Sequence, residues 1–442
     1  MKIELLENKV NPIDLSVGSA RTCYSVNLKT PGDITDWEGK GKLLLDLFKS
    51  GHHTTLQHVN FTFLMEGISR LSIWRFFHSH RFYNSDQVSQ RYTEVKEGSF
   101  KKFDSERIES YHKSLMSKYQ EITNILIPIY EASENKVERK LAKKKAMENA
   151  RYILPQSVLA NMYHTINLST LLRYVIGKPL VEDCNEEVSE IVSEMVSEVV
   201  SKYPDLKDIF NYVEEISLNA DFSDSENILK DIELDSCVSK LIESTSFNSI
   251  KNSFIGETSG VAALFNTSLG LESFTFNLKL SLSADAQNQR HRTAYSIRPS
   301  LSKMIESNKH DYYIPEIFYQ SEEALELYSE AIYESKAIVK EFKDLSPYLL
   351  LNGFQIPIVE VNNALDFIHK SEKRLCLNSQ EEITKMTWSM VLNLIENEKT
   401  KKYGLTLAPP CYHRFISYKT PICPEGSRFC GIKEWKNEKY QN

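Results

Sequence analysis

The stretch "HVNFTFLMEGISRLSIWRFFHSHRFYNSDQVSQRY", residues 58–92, decides the fold because its pattern returns in "LESFTFNLKLSLSADAQNQRHRTAYSIRPSL", residues 271–301. Each stretch contains a short Phe-Thr-Phe strand followed by a helix-like segment that runs into His-Arg. Counted from Phe61 and from Phe274, the histidine follows after 19 residues in the first copy and after 17 in the second. This similarity predicts two copies of one strand and helix unit.

A second similarity lies downstream of each copy. Long charged segments with apolar residues at helical spacing occupy residues 105–149 and 321–345, and apolar segments follow around Asn167 and Asn363. The sequence therefore predicts two tandem domains, residues 1–220 and 228–442. We place the boundary at the Ser/Asp-rich segment 218–227.

Composition excludes several classes of protein. The 442 residues carry a formal net charge of −7, which argues against a nucleic-acid-binding surface along the whole chain. The start "MKIELLENKV" has no apolar signal region, and no run of about 18 apolar residues occurs. We therefore expect a cytoplasmic protein that binds neither membranes nor nucleic acid.

The cysteines predict reduced thiols. There are seven, an odd number, and they are spread along the chain. The only grouping of possible metal ligands is Cys411, His413, Cys423 and Cys430. Its spacing lacks the two tight pairs of most zinc sites, so we predict no metal.

The segment "QNQRHR", residues 287–292, concentrates forked side-chain donors and indicates an anion site, although such a cluster alone is more often a solvated face. Further motifs accompany it. With these motifs, the chain resembles the flavin-dependent thymidylate synthases over nearly its whole length, in two copies. The motifs that carry the resemblance are "ARTCYS" (20–25), "GHHTTLQHVNFTF" (51–63), "SHRFYNSDQVSQRY" (79–92), "ARYILP" (150–155), "QNQRHR" and "RLCLNSQEEI" (374–383). The resemblance implies an α+β fold of two tandem domains, each a twisted, mainly antiparallel sheet packed with helices.

Each copy keeps the part of the family signature that the other has lost. The second copy keeps Arg290, His291 and Arg292, whereas the first has Ser79 in place of the leading arginine. The first copy keeps the closing Ser-x-Arg-Tyr with Arg91, and the second does not.

Two further family arginines follow the same division. The arginine that holds the nucleotide phosphate matches Arg151 in the first copy and Pro347 in the second. The arginine that polarises the pyrimidine matches Arg374 in the second copy and Lys178 in the first. A lysine does not reproduce the planar two-pronged donor.

The resemblance implies a role for each matching residue. Arg374 and Arg290 would be catalytic. The residues expected to bind dUMP are Gln287, Gln87, Ser89, Gln90, Arg91 and Arg151. Those expected to bind FAD are Thr54, Thr267, Arg290, His291, Arg292, Asn167 and Asn363.

We therefore expect an FAD-dependent thymidylate synthase that uses methylene-tetrahydrofolate and NADPH. One active site would combine residues of both halves, within one chain or between chains, and a homodimer would form a pseudo-tetramer of domains. The alternative is a catalytically silent relative that binds flavin or nucleotide for regulation, because Asp86, Tyr295 and Ile297 replace signature residues. The complementary losses favour the enzyme.

Overall fold

The structure is a computed structural model that describes residues 1–216, 227–229, 232–245, 267–308 and 310–437. The chain divides into two compact units. The first unit contains the described residues of Met1–Ser89, Gly98–Lys102 and Gln156–Asp221. The second contains those of Gln90–Glu97, Phe103–Pro155 and Phe222–Asn442. In the part of the chain that is described, no helix is both long enough and apolar enough to cross a bilayer.

The first unit contains a four-stranded antiparallel sheet in the order β1-β2-β4-β3. Alternate residues of β2, among them Phe61, Phe63 and Met65, are buried, as expected for a strand with one face on the core. The strands are β1 (Lys2–Leu5), β2 (Asn60–Ser69), β3 (Asn84–Gln87) and β4 (Leu159–Asn167). The α-helices are Pro12–Thr22, Lys40–Lys49, Arg70–Ser72, Leu168–Gly177, Asn185–Lys202 and Lys207–Glu214.

The second unit repeats this sheet in the order β5-β6-β8-β7, again antiparallel. Its strands are β5 (Ser239–Thr245), β6 (Ser273–Ser281), β7 (Tyr295–Ile297) and β8 (Gln355–Asn363). Its α-helices from the first half of the sequence are Glu106–Glu131, Lys136–Lys140 and Ala142–Ala150. Those from the second half are Thr267–Gly270, Leu282–Asn288, Leu301–Glu306, Glu322–Glu341, Ser346–Leu349, Ala364–Arg374, Glu381–Glu396 and Pro410–Ile416. The predicted α+β fold with two similar antiparallel sheets is confirmed.

The two-residue difference between the copies has a structural explanation. The β2–β4 register shifts between Met65 and Ile68, whereas β6 pairs with β8 without a shift. A π-helical turn then occupies Ile73–Phe77, and the corresponding helix Leu282–Asn288 is regular. A β-bulge and a π-turn each add one residue without changing the surrounding structure, so together they account for the difference.

In each sheet, the second strand in chain order ends at an equivalent serine, Ser69 or Ser281, which is hydrogen-bonded to a glutamate. Glu187 accepts hydrogen bonds from the backbone N of Ser69 (2.9 Å) and from its Oγ (2.7 Å). Glu382 accepts from the backbone N of Ser281 (2.7 Å) and from its Oγ (2.6 Å). These buried carboxylates fix the turn from strand to helix in each copy.

The long helix of the first half, Glu106–Glu131, packs against Glu322–Glu341 of the second half inside the second unit. Lys118 Nζ lies 2.9 Å from Glu334 Oε1. The Tyr111 hydroxyl donates a hydrogen bond of 2.8 Å to the carbonyl of Leu349. Residues of the first half are therefore part of the core of the second unit.

The compact units thus do not follow the predicted domain boundary. Residues 90–97 and 103–155, which we assigned to the first domain, belong to the second unit. The reason is the large apolar stripe of Glu106–Glu131, which is buried against the second half. The division at residues 220 and 228 stays a prediction about the sequence repeat, and most of the segment 218–227 lies outside the described residues.

Equivalent segments of the two copies also pair by their backbones in the second unit. Gly353 N donates to the carbonyl of Tyr152 (2.9 Å), and Asn352 N donates to that of Leu154 (2.8 Å). A Cβ at Gly353 would lie 1.9 Å from the Tyr328 hydroxyl, so this close approach requires glycine. The pairing fixes the backbone next to Arg151.

Candidate active site

A cavity of about 520 Å³ in the second unit brings together most of the predicted arginines. Its volume lies within the range of small-molecule sites, about 300–1,000 Å³. Six of the predicted site residues line it: Arg91, Gln287, Arg290, His291, Arg292 and Arg374. Arg91 comes from the first half of the sequence and the other five from the second, and all belong to one compact unit.

Arg374 is the last residue of the helix Ala364–Arg374, where the helix dipole favours a cation. Its Nη2 donates a hydrogen bond of 2.8 Å to the carbonyl of Gln287, and its buried Nε has no partner among the described residues. The pKa of Arg374 falls to about 10, chiefly because of burial and also because of the nearby Arg91 and Arg290. Three guanidinium groups that repel one another form a site that an anion would stabilise.

Arg91 is held by a carboxylate and a carbonyl. Its guanidinium forms an ion pair of 3.1 Å with Glu148 Oε1, and its Nη2 donates a hydrogen bond of 2.6 Å to the carbonyl of Asn378. Glu148 lies on the helix Ala142–Ala150 and is buried. These contacts fix the position of the Arg91 guanidinium at the cavity.

Arg151 is buried and is not among the residues that line this cavity. Its Nη2 donates a hydrogen bond of 2.6 Å to Gln380 Oε1, while its buried Nε has no partner among the described residues. Burial lowers the pKa of Arg151, and the neighbouring Arg91 adds to this effect. Gln90 is also buried and accepts a hydrogen bond of 3.2 Å from Asn352 Nδ2.

His291 is neutral in this environment. Burial lowers the pKa of its imidazole well below 6.5, and Arg374 and Lys370 lower it further. Its Nε2 is buried without a hydrogen-bond partner among the described residues. A neutral imidazole with an unused ring nitrogen can accept or donate one hydrogen bond to a ligand, depending on its tautomer.

A buried ion pair that the sequence did not predict lies next to these residues. Lys370 lies one turn before Arg374 and pairs with Glu360, which also accepts hydrogen bonds from Asn288 (2.6 Å) and Asn362 (2.8 Å). Burial would raise the pKa of Glu360, but Lys370 and the two amides hold it below its usual value. The indication available in the sequence was that Lys370 lies four residues before Arg374, which places both side chains on one face of the helix.

The first unit has His164 and Tyr174 at the positions that correspond to Glu360 and Lys370. The Tyr174 hydroxyl lies 2.7 Å from His80 Nε2 and 3.0 Å from His164 Nε2. Burial lowers the pKa of His80 to about 4, with Arg173 adding to the effect. The first copy therefore contains a packed aromatic and histidine cluster in place of the charged network.

The degenerate positions of the first copy have partners within the first unit. Lys178 Nζ forms an ion pair of 2.9 Å with Glu214 Oε1. The Ser79 hydroxyl donates a hydrogen bond of 2.8 Å to the carbonyl of Phe76.

The remaining predicted residues are dispersed. Thr54, Gln87, Ser89 and Asn167 belong to the first unit, where Thr54 is exposed before the turn Thr55–His58. Asn167 accepts a hydrogen bond from Thr170 N, and in the second unit Asn363 accepts one from Asp366 N, both at 2.9 Å. Both asparagines are thus helix N-caps. Thr267 begins the helix Thr267–Gly270, and its side chain lies outside the described part of the structure.

Four free thiols, those of Cys376, Cys411, Cys423 and Cys430, line the cavity. Burial and the neighbouring thiols raise the pKa of Cys411 to about 12. His413, which the sequence grouped with the tail cysteines, is buried with Nδ1 3.4 Å from Glu372 Oε1. Within the described ranges, no three His, Cys, Asp or Glu side chains are arranged to hold a metal ion.

The chain was compared with known proteins. The family described as "Thymidylate synthase complementing protein" matches residues 4–205 and 265–397. A flavin-dependent thymidylate synthase of Clostridium tetani is 32% identical over 187 residues, which cover 39% of this chain and 72% of the relative. The enzyme of that name from Nitratidesulfovibrio vulgaris is 26% identical over 193 residues, with coverage of 39% and 72%. The crystal structure of thymidylate synthase X from Helicobacter pylori with FAD and dUMP aligns with 49% of this chain and 100% of its own, at 17% identity and a TM-score of 0.35.

Proposed function

The chain belongs to the thymidylate synthase complementing protein family, and we propose that it is a flavin-dependent thymidylate synthase that converts dUMP to dTMP with methylene-tetrahydrofolate as the one-carbon donor. Two relatives matched over 72% of their length carry the name flavin-dependent thymidylate synthase. The observation that carries the proposal is the group of three neighbouring arginines, Arg91, Arg290 and Arg374, at one cavity.

The arginines suit a nucleotide monophosphate. Arg91 and Arg151 would bind the phosphate, because guanidinium groups form two parallel hydrogen bonds with phosphate oxygens. Gln90 and Gln287 would position the nucleotide beside them, and Gln87 and Ser89 stay predicted contacts. Arg374 would donate its unused Nε–H to the pyrimidine and stabilise negative charge that develops on the ring. A bound anion would also relieve the repulsion among the guanidinium groups.

The residues of the cavity also fit FAD. The unused Nε2 of His291 and the cations Arg290 and Arg292 suit a ligand with negative charge and ring acceptors. Bound FAD would supply the reducing equivalents, with NADPH as their source. Arg290, His291 and Arg292 would orient the flavin ring, while Thr54, Asn167, Thr267 and Asn363 stay predicted contacts.

The proposed site combines both halves of one chain. Its support is that Arg91 and Arg151 belong to the same compact unit as Arg290 and Arg374. Backbone pairing of Tyr152 with Gly353 keeps the two sequence halves together in that unit. A chain would thus contain one complete set of arginines, and a homodimer would carry two such sets.

The test begins with ligand binding. We expect the purified protein to show a flavin spectrum and to bind one dUMP per chain by calorimetry. It should also release tritium from C5-labelled dUMP when methylene-tetrahydrofolate and NADPH are present. Flavin and dUMP binding without tritium release would refute the catalytic function and favour a silent binding protein. Two equal dUMP sites per chain would contradict the single composite site.

The second part of the test mixes two inactive variants. Arg91→Ala and Arg374→Ala should each lose activity, and their mixture should stay inactive because one chain supplies both arginines. Lys178→Ala is the matched control, since it occupies the Arg374 position in the other copy, and it should keep full activity. Recovery of activity in the mixture would show that sites form between chains and would overturn the single-chain site.

A further inference from the structure

The tail of the chain forms one wall of the cavity although it lies beyond the family match. That match ends at residue 397, whereas residues 409–435 supply part of the lining. We call residues 409–435 the tail wall. Its buried side chains Tyr412 and Trp435 form a small core with the preceding Ala408, against which Phe429 and Cys423 pack. The tail wall therefore has a packed structure of its own beside the arginines.

The tail wall differs chemically from the family-matched part of the lining. The family-matched residues contribute Arg290, Arg292, Lys373 and Arg374 to the lining. The apolar part of the tail wall consists of Pro409, Pro410, Pro424, Phe429, Ile432 and Trp435. Its thiols are also uncharged, because burial raises the pKa of Cys411 and of Cys430.

Two carboxylates of the tail also line the cavity, but one of them already has a cationic partner. Glu425 Oε2 lies 3.3 Å from Arg428 Nη2. Glu434 is buried. The arginines and the lysine of the lining therefore come from the family-matched residues, which also supply Glu372, Leu375 and Leu377, and the tail wall is mainly apolar.

Asn378 connects the tail wall with Arg91. Asn378 accepts the hydrogen bond of Arg91 at its carbonyl (2.6 Å), and its Nδ2 donates to the carbonyl of Arg428 in the tail wall (2.7 Å). A second contact runs from Asn135 Nδ2 to the carbonyl of Cys430 (3.2 Å). The tail wall is thus attached to the loop that positions an arginine of the site.

We propose that the tail wall is a ligand-binding surface that takes the flat heteroaromatic ring of an anionic ligand whose charged group lies on the arginines. This inference rests on the proposed function and extends it to residues that the family match does not include. Apolar and aromatic surfaces bind flat rings by burial and ring contact, while arginines bind the anion. A pyrimidine nucleotide, a flavin nucleotide and a reduced folate share this chemistry, so the experiment uses one probe for each.

The native thiols report directly on the tail wall. Full-length protein is treated with N-ethylmaleimide at pH 8, and the labelling rate of each cysteine is measured by peptide mass spectrometry. The protein is tested alone and with saturating dUMP, FAD or 5-formyltetrahydrofolate, and binding of each probe is measured separately. At least one bound probe should slow labelling of Cys411, Cys423 and Cys430 by tenfold or more. Cys23 is exposed in the first unit and is the internal control, whose rate should stay constant.

Two aromatic residues of the tail provide matched variants. Phe429→Ala removes a ring that lines the cavity and should weaken the protecting probe by about tenfold. Tyr418→Ala removes a ring that is 95% exposed and should leave binding unchanged. Phe429→Leu keeps an apolar side chain and distinguishes loss of contact from misfolding, because it should restore thermal stability but only part of the affinity.

The outcomes separate this inference from the proposed function. Binding of the probes without protection of any tail thiol would overturn the ligand-binding role of the tail wall and leave the enzyme function standing. Equal weakening by Phe429→Ala and Tyr418→Ala would also overturn it. Failure of all three probes to bind would refute the proposed function, and this inference with it. Protection by only one probe would identify which ring the tail wall takes.

Discussion

Replacing Arg374 by methionine should lower kcat by about 10²–10³ while leaving the stability of the ligand-free protein almost unchanged. The guanidinium makes one hydrogen bond, to the carbonyl of Gln287, and is repelled by Arg91 and Arg290. Methionine fills a similar volume without charge. The variant therefore separates the function of this cation from its contribution to folding.

The magnitudes follow from these contacts. A pKa of about 10 in place of 12.5 corresponds to about 3 kcal/mol against the charged form. Because Arg374 is only half-buried, solvent screening reduces this to about 1–2 kcal/mol. Loss of a charged hydrogen bond costs about 1.5–3 kcal/mol, so the two effects nearly cancel. Loss of a preorganised donor at developing charge costs about 3–4 kcal/mol of transition-state stabilisation, or about 10²–10³ in kcat.

The assay pairs tritium release with thermal unfolding of ligand-free protein. Arg374→Met should lower kcat by the factor above and shift Tm by no more than about 4 °C. Lys178→Met, at the equivalent position of the other copy, should keep kcat within about twofold. A fall in Tm of 10 °C or more in Arg374→Met would show a structural role and refute the electrostatic reasoning. Equal loss of kcat in both variants would refute the assignment of the site to one copy.

Two further predictions concern buried charges. Burial raises the pKa of Glu382 from 4.5 to about 7, so its folded state favours the protonated form. The stabilisation that Glu382 contributes is fully present below pH 4.5 and is lost as the pH rises through 7. The free energy of unfolding falls by at most about 3 kcal/mol over this range. Urea unfolding should show that the native protein is less stable at pH 8 than at pH 5, whereas Glu382→Gln should not show this loss. An equal change in unfolding free energy between the two pH values in both proteins would contradict the prediction. Lys370→Met should destabilise the protein by about 3–5 kcal/mol because it leaves Glu360 charged and buried, and Lys370→Met with Glu360→Gln should recover most of that loss in urea unfolding. No recovery in the double variant would argue against the ion pair as the cause.

The sequence predicted the repeated sheets because strand composition and the Phe-Thr-Phe pattern are local signals. It did not predict the bulge between Met65 and Ile68 or the π-turn Ile73–Phe77, because both are insertions whose position is decided by the sheet that surrounds them. It also did not predict the partner of the helix Glu106–Glu131. An apolar stripe indicates that a helix is buried but does not identify the surface that buries it.

The sequence grouped Arg91, Arg290, Arg292 and Arg374, which line one cavity, but it did not predict the groups that hold them. Glu148, the partner of Arg91, lies outside every quoted motif, whereas Gln380, the partner of Arg151, lies inside the motif 374–383, where nothing marked it as that partner. Cys376, which is distant in sequence, lines the cavity together with the tail cysteines. His413 is not among the lining residues. Such partners are set by tertiary packing, which spacing along the chain does not encode.

The distribution of charge between the copies argues that the second copy is the one that binds an anionic ligand. The clustered arginines repel one another in the ligand-free protein, which contributes to the lowered pKa of Arg374. At the matching positions of the first copy, Ser79 and Lys178 have partners within their own unit and carry no such cluster. A chain without an anionic ligand would gain nothing by keeping this cluster, because the loss of Arg374 is nearly neutral for stability. We infer that the second copy keeps its cluster because an anion binds there, and that the first copy was free to lose its own once one site sufficed.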